Sequence, residues 1–143
     1  MATIKRNATA QWSGAGNDGR GALTTQSGTL ADTPYSFTTR FGDGKGTNPE
    51  ELIAAAHAGC FTMALAFRLS AAGHPPAKLE TKADLTLTQG TAGWTIAGIV
   101  LNVQGTVPGI ADPEFQKLAS DAKANCPVSK ALSIPISLVA KLD

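Results

Sequence analysis

The sequence predicts an α+β protein, with antiparallel sheets arranged around one long central helix. Three observations carry that expectation. A stretch from Thr47 to Gly73 reads as a single helix that is apolar nearly all round. Residues on either side of it alternate with period two, as strands do. The elements come in blocks, strands then helix then strands, rather than as alternating βαβ units. At 143 residues the chain, 1–143, reads as one domain large enough for a real core.

Residues 3–12 place Ile4, Ala8, Ala10 and Trp12 on one face and predict a first strand. Ser13–Gly21 is a glycine-rich turn, and 22–27 reads as a second, more polar strand. PYSFTTRF, 34–41, predicts a third, with Tyr35, Phe37, Thr39 and Phe41 on the core side and Arg40 on the other. GDGKGT, 42–47, is a flexible connector whose glycines do not have the spacing of a phosphate-binding loop.

The central helix has a well-marked start. Asn48 is a good N-cap, Pro49 suits the first helical position, and Glu51 stands where it can close a capping box. Gly73 is a natural C′ residue, and His74-Pro75-Pro76 stops the helix. Between Leu52 and Leu69 the strongly polar residues are His57, Thr62 and Arg68. Such a helix needs cover on every side, which one short chain does not readily supply, so a partner chain is expected. Its apolar run is long enough to cross a bilayer. Its Ala and Gly content, His57 and the ordinary globular sequence on both sides argue against a span.

The second half is more regular. Residues 77–88 put Leu79, Thr81, Ala83, Leu85 and Leu87 on one face, and 94–103 pairs back after a QGTAG turn. Asp112-Pro113-Glu114 caps a helix whose stripe is Phe115, Leu118, Ala119 and Ala122, ending near Asn125. Cys126-Pro127 starts a short helical turn to about Leu132, and 134–142 alternates as a last strand.

Composition narrows the function. Hydrophobic residues make up 43%, charged residues 16%, and the net charge is +1, which gives no reason to expect nucleic acid or an acidic surface as partner. No basic-then-apolar leader is evident, and two cysteines without an export signal point to a reducing cytoplasm. Cys60, Cys126, His57 and His74 match no zinc spacing, so no metal is expected.

The thiols remain. Cys60 lies mid-helix, and its bland reading is a small core hydrophobe. Apolar burial raises a thiol pKa, so a reactive Cys60 needs a cation or donor nearby. His57 is one turn back, whereas Arg68, eight residues on, is roughly 12 Å along the axis and too far. Arg40 is better placed to reach in. Cys126 precedes Pro127 at an N-cap position, where backbone N–H groups and the helix dipole favour a thiolate.

NPEELIAAAHAGCF and ANCPVSKAL resemble the two signature blocks of the OsmC/Ohr family, and PYSFTTRF with GTNPEEL is similar to its OsmC branch. The likeness runs over essentially the whole chain. It implies an OsmC-like fold, with sheets wrapped around long central helices in an intertwined homodimer. It also implies a thiol-dependent peroxidase for organic hydroperoxides, re-reduced by a small or lipoyl-type dithiol, needing no cofactor and acting in oxidative or osmotic stress. Position by position, Cys60 matches the peroxidatic cysteine, Cys126 the resolving one, Glu50 the active-site glutamate and Arg40 the arginine, whose position differs between branches. Gly59 stands where alanine is common. Glu50 lies ten residues before Cys60, roughly 15 Å along a straight helix, so a site shared between subunits is expected. A site near Phe61 and Met63 would favour a peroxide with an organic tail. Two other classes stay open: a general disulfide oxidoreductase, and a non-catalytic stress or ligand-binding protein with inert thiols.

Overall fold

A computed structural model describes all residues, 1–143. It divides into two compact units, Met1–Leu52 and Ile53–Asp143.

The first unit holds a three-stranded antiparallel sheet, β1 (Ala8–Ser13), β2 (Arg20–Thr25) and β3 (Thr33–Tyr35), in the order β1-β2-β3. Residues 3–7 lie outside the first strand, and Ile4 is exposed. Gly21 pairs with both Trp12 and Tyr35. A Cβ there would sit 2.5 Å from the Tyr35 ring and 2.7 Å from the Trp12 ring, so only glycine lets those rings meet at 5.5 Å.

The expected strand over 34–41 does not form. The chain leaves the sheet at Tyr35 and turns into a short helix, α1 (Phe37–Phe41). The reason is local. The Ser36 hydroxyl accepts the Thr39 N–H, and the Thr39 hydroxyl accepts the Ser36 N–H at 2.8 Å, a closed capping box. Period-two aromatics become an i, i+4 pair, with the Phe37 and Phe41 rings 5.1 Å apart.

The long helix, α2 (Pro49–Ala71), runs unbroken through Gly59. Asn48 caps it, its side-chain oxygen accepting the Glu51 N–H at 2.7 Å. The Glu51 carboxylate takes the Thr47 hydroxyl rather than closing a capping box. At the far end His74 N–H bonds Leu69 C=O, Gly73 N–H bonds Ser70 C=O, and Gly73 has φ +86°, a Schellman motif.

The second unit carries β4 (Lys78–Gly90), β5 (Gly93–Thr106), α3 (Asp112–Asn125), α4 (Pro127–Ala131) and β6 (Ile136–Leu142). β4 and β5 form a long hairpin with Gly90 paired to Gly93 and an irregularity at Thr86/Leu87. β6 pairs with β5 in parallel, not antiparallel as expected. The chain passes through α3 and α4 before β6, and a crossover of that length permits a parallel return. α3 starts from Ala111 as N-cap, which leaves Asp112 in the first turn, where its charge suits the dipole.

One stripe of α2, His57, Phe61, Leu65 and Leu69, is fully buried. The three apolar members join Ile99, Leu101 and Val103 of β5, Phe115, Ala119 and Ala122 of α3, and Cys126 in one core. The Thr62 hydroxyl meets Thr81 of β4 at 2.7 Å. The helix is not covered all round: Met63 and Phe67 are 64% and 70% exposed. By length and composition α2 could cross a membrane. Its packed stripe and buried imidazole make it instead the core helix of this unit.

Candidate active site

Within the first unit, Arg40 closes the last turn of α1 and Glu50 opens α2. Arg40 Nε donates to Glu50 Oε1 at 2.8 Å. The guanidinium also lies 5.0 Å over the Phe41 ring, a cation–π contact. Glu50 is buried, and its second oxygen, Oε2, has no hydrogen-bond partner. That oxygen, and the solvent-facing part of the guanidinium, remain available for another polar group. Arg40, Phe37, Phe41, Tyr35 and Trp12 line a small cavity of about 100 Å³.

Within the second unit, Cys60 and Cys126 come together. Both are free thiols; Cys60 is half-buried on α2, and Cys126 is fully buried as the N-cap of α4. The two thiols are neighbours close enough for each to shift the other's titration. The expected N-cap role of Cys126 is met: its sulfur accepts the Ser129 N–H at 3.4 Å and the Ser129 hydroxyl at 3.5 Å.

The two thiols are electrostatically unequal. Burial pushes the Cys60 thiol up, the Val128 backbone N–H opposes this, and the neighbouring Cys126 pushes it up further. Burial also acts to raise Cys126, but bonds from the Ser129 hydroxyl and N–H, the Cys60 thiol and the Val128 N–H outweigh it and hold Cys126 below the ordinary cysteine value. Within its own unit, therefore, ionisation is favoured at Cys126 and disfavoured at Cys60.

His57 supplies Cys60 with no cation. Burial pushes its imidazole down, which keeps it neutral, and its Nε2 meets the Ser129 hydroxyl at 2.7 Å. Phe61 is sealed in the core, so of the two side chains expected beside a substrate only Met63 is exposed. Ser129 was not among the sequence candidates. A signal for it exists: it stands third after Cys126, the position whose backbone N–H an N-cap accepts.

A long helix with one buried stripe and one thiol, a second thiol capping a short helix beside it, and two three-stranded sheets define a two-cysteine α+β protein. The chain belongs to the OsmC-like protein family, whose pattern it matches over residues 42–139. It is 46% identical over 136 residues, 95% of each chain, to the protein named peroxiredoxin OsmC of Escherichia coli strain K12. It is 35% identical over 91 residues, 62% of each chain, to the organic hydroperoxide resistance protein OhrA of Bacillus subtilis strain 168. The fold superposes with a TM-score of 0.73 on a crystal structure of an organic hydroperoxide resistance protein OsmC from Legionella pneumophila, at 23% identity over 100% of this chain and 99% of that one. The α+β fold expected from the sequence is thereby established.

Proposed function

We propose that this protein is a cysteine-based peroxidase that reduces organic hydroperoxides to alcohols. The observation that carries the reading is the meeting of two free thiols, Cys60 and Cys126, from separate helices in a member of the OsmC-like family. The names of its relatives, a peroxiredoxin and organic hydroperoxide resistance proteins, support it.

Cys60 thiolate attacks the outer peroxide oxygen. The O–O bond breaks, sulfur is oxidised to a sulfenic acid, and the alkoxide leaves as an alcohol after taking one proton. Cys126 then attacks that sulfur, the S–O bond breaks, and water leaves as the Cys60–Cys126 disulfide forms. An external dithiol, small or lipoyl-type, restores both thiols by exchange.

The raised Cys60 thiol requires activation. Arg40, permanently charged and held by Glu50, is the group for it. Glu50 and Cys60 are ten residues apart on one continuous helix, about 15 Å along its axis. The reading is therefore a homodimer in which the Arg40–Glu50 pair of one protomer serves the Cys60 of its partner. The exposed Met63 and Phe67 give a second copy an apolar seat on α2.

Thiol titration before and after one equivalent of an organic hydroperoxide tests the reading. Two thiols should fall to none as the hydroperoxide becomes its alcohol. Cys60→Ser should consume no peroxide. Cys126→Ser should consume about one equivalent per chain, then stall and over-oxidise at Cys60. Turnover in Cys60→Ser, or thiols untouched by peroxide in the unaltered protein, would overturn it.

A further inference from the structure

The mechanism above leaves one buried titratable residue unused. His57 is fully buried on α2, and its single hydrogen bond reaches across to α4, to the Ser129 hydroxyl at 2.7 Å. The direction of that bond follows from proton counting. Ser129 has one hydroxyl proton, and it is directed at Cys126 Sγ. With that proton on Cys126, the Ser129 oxygen accepts and His57 Nε2 donates, one of the two directions the 2.7 Å contact allows. The ring is then the neutral Nε2–H tautomer, and the atom left without a partner, Nδ1, is a bare lone pair. A cationic ring would leave a charged N–H unpaired at that point, so the burial that disfavours the imidazolium agrees with the assignment.

The geometry points to His57 as a positioning residue for Cys126: through a directed chain, His57 Nε2–H to Ser129 Oγ–H to Cys126 Sγ, it holds the second thiol as a thiolate aimed at its attack. The chain is polarised one way, each donor strengthening the next. Neutral imidazole serves better here than a cation. It orients Ser129 without adding a charge that would bind the sulfur as a fixed ion pair. The Ser129 backbone N–H adds a second donor to the same sulfur. The titratable groups facing Cys126 are Cys60 and, through Ser129, His57, both on α2; α3, packed against α4, turns Phe115, Ala119 and Ala122 inward.

That Cys126 is the resolving thiol rests on the proposed peroxidase reading; that it is held as a thiolate does not. In the resolving step the electron pair on Cys126 forms the S–S bond, the S–O bond of the Cys60 sulfenic acid breaks, and the departing hydroxide takes one proton to become water. The proton that Cys126 gave up earlier balances the one taken. Because the sulfur enters that step already ionised, His57 need not change protonation state at all.

The experiment uses full-length Cys60→Ser, in which Cys126 is the sole thiol, and follows thiolate ultraviolet absorbance against pH. Cys126 should titrate below the ordinary cysteine value of about 8.5. Adding Ser129→Ala should cut the thiolate fraction at neutral pH about tenfold, as the loss of a hydrogen bond to a charged acceptor implies. His57→Leu should move the midpoint the same way. His57→Gln, which keeps a side-chain N–H for Ser129 but no ionisable ring, should retain the parent midpoint. An ordinary midpoint in the parent, an unchanged midpoint in Ser129→Ala, or His57→Gln shifting as far as His57→Leu would each overturn the assignment. Should His57→Leu fail to fold, the Ser129→Ala and His57→Gln midpoints still decide it. In the Cys60-containing protein, Ser129→Ala should slow disulfide formation after one equivalent of peroxide. If the unaltered protein consumes no peroxide, the peroxidase reading fails while the titration still judges the chain.

Discussion

His57 has no exposed surface, and burial holds its imidazole below the ordinary histidine value of 6.5. Its unfolded counterpart keeps that ordinary value, so below it the unfolded chain binds the extra proton first and stability rises with pH. The contribution is fully present above about 6.5 and is lost as pH falls toward the lower folded value. Thermal melts of wild-type protein should therefore show a midpoint that drops on acidification from neutral pH, and His57→Gln should show a flatter profile over the same window. Identical profiles would place the acid sensitivity elsewhere. At this scale much was legible. The positions of both cysteines and the cap at Cys126 were open to inspection of the sequence, and the family blocks singled out Arg40 and Glu50 without pairing them. Ser129 was legible only in part: its place three residues past the cap points to its N–H, but not to the His57 partner of its hydroxyl across space.

α1 and α2 show how end chemistry outranks pattern. Alternation over residues 34–41 reads as a strand, but Ser36 and Thr39 satisfy each other's backbone donors only in a helix, and the short segment follows its caps. In α2 the same kind of signal, Asn48 before Pro49 and Gly73 after Ala71, was read correctly because caps and periodicity agreed. Gly73 offers a clean test. A Cβ there would meet nothing within 4 Å, so the cost of Gly73→Ala is the left-handed backbone alone. It should destabilise by about 1 kcal/mol, seen in urea as a lower midpoint with an unchanged slope. A neutral result would mean that the helix end relaxes out of its Schellman geometry.

For the whole molecule the telling feature is the uncovered face of α2. A helix with Met63 and Phe67 in water places large apolar area where a second copy of a helix would bury it. Phe67→Glu should weaken self-association, measured by sedimentation at micromolar concentration, and should lower peroxide turnover in step with dimer loss. A monomeric wild-type protein with full activity would contradict the shared site. Complementation tests the same point independently. Inactive Cys60→Ser mixed with impaired Arg40→Ala should regain part of the activity, because a heterodimer holds one site with Cys60 from one protomer and an intact Arg40–Glu50 pair from the other. No recovery, with heterodimers demonstrated, would return Arg40 to its own chain's Cys60.

The sequence by itself determined the features that depend on neighbours along the chain. These are the extent of α2 between its caps, the β4–β5 hairpin with its alternating faces, the stripe of α3 and the capping position of Cys126. Each is set by periodicity or by a hydrogen bond spanning a few residues. Only the tertiary structure decided the features that depend on distant segments meeting. It brought β6 parallel to β5 after its crossover, left one face of α2 bare, and set His57 against Ser129 rather than Cys60. It also decided which of the two sulfurs ionises more readily. Burial acts on both thiols alike; the Ser129 donors reach only Cys126. A thiolate forms where donors converge in space, and convergence is a property of the fold.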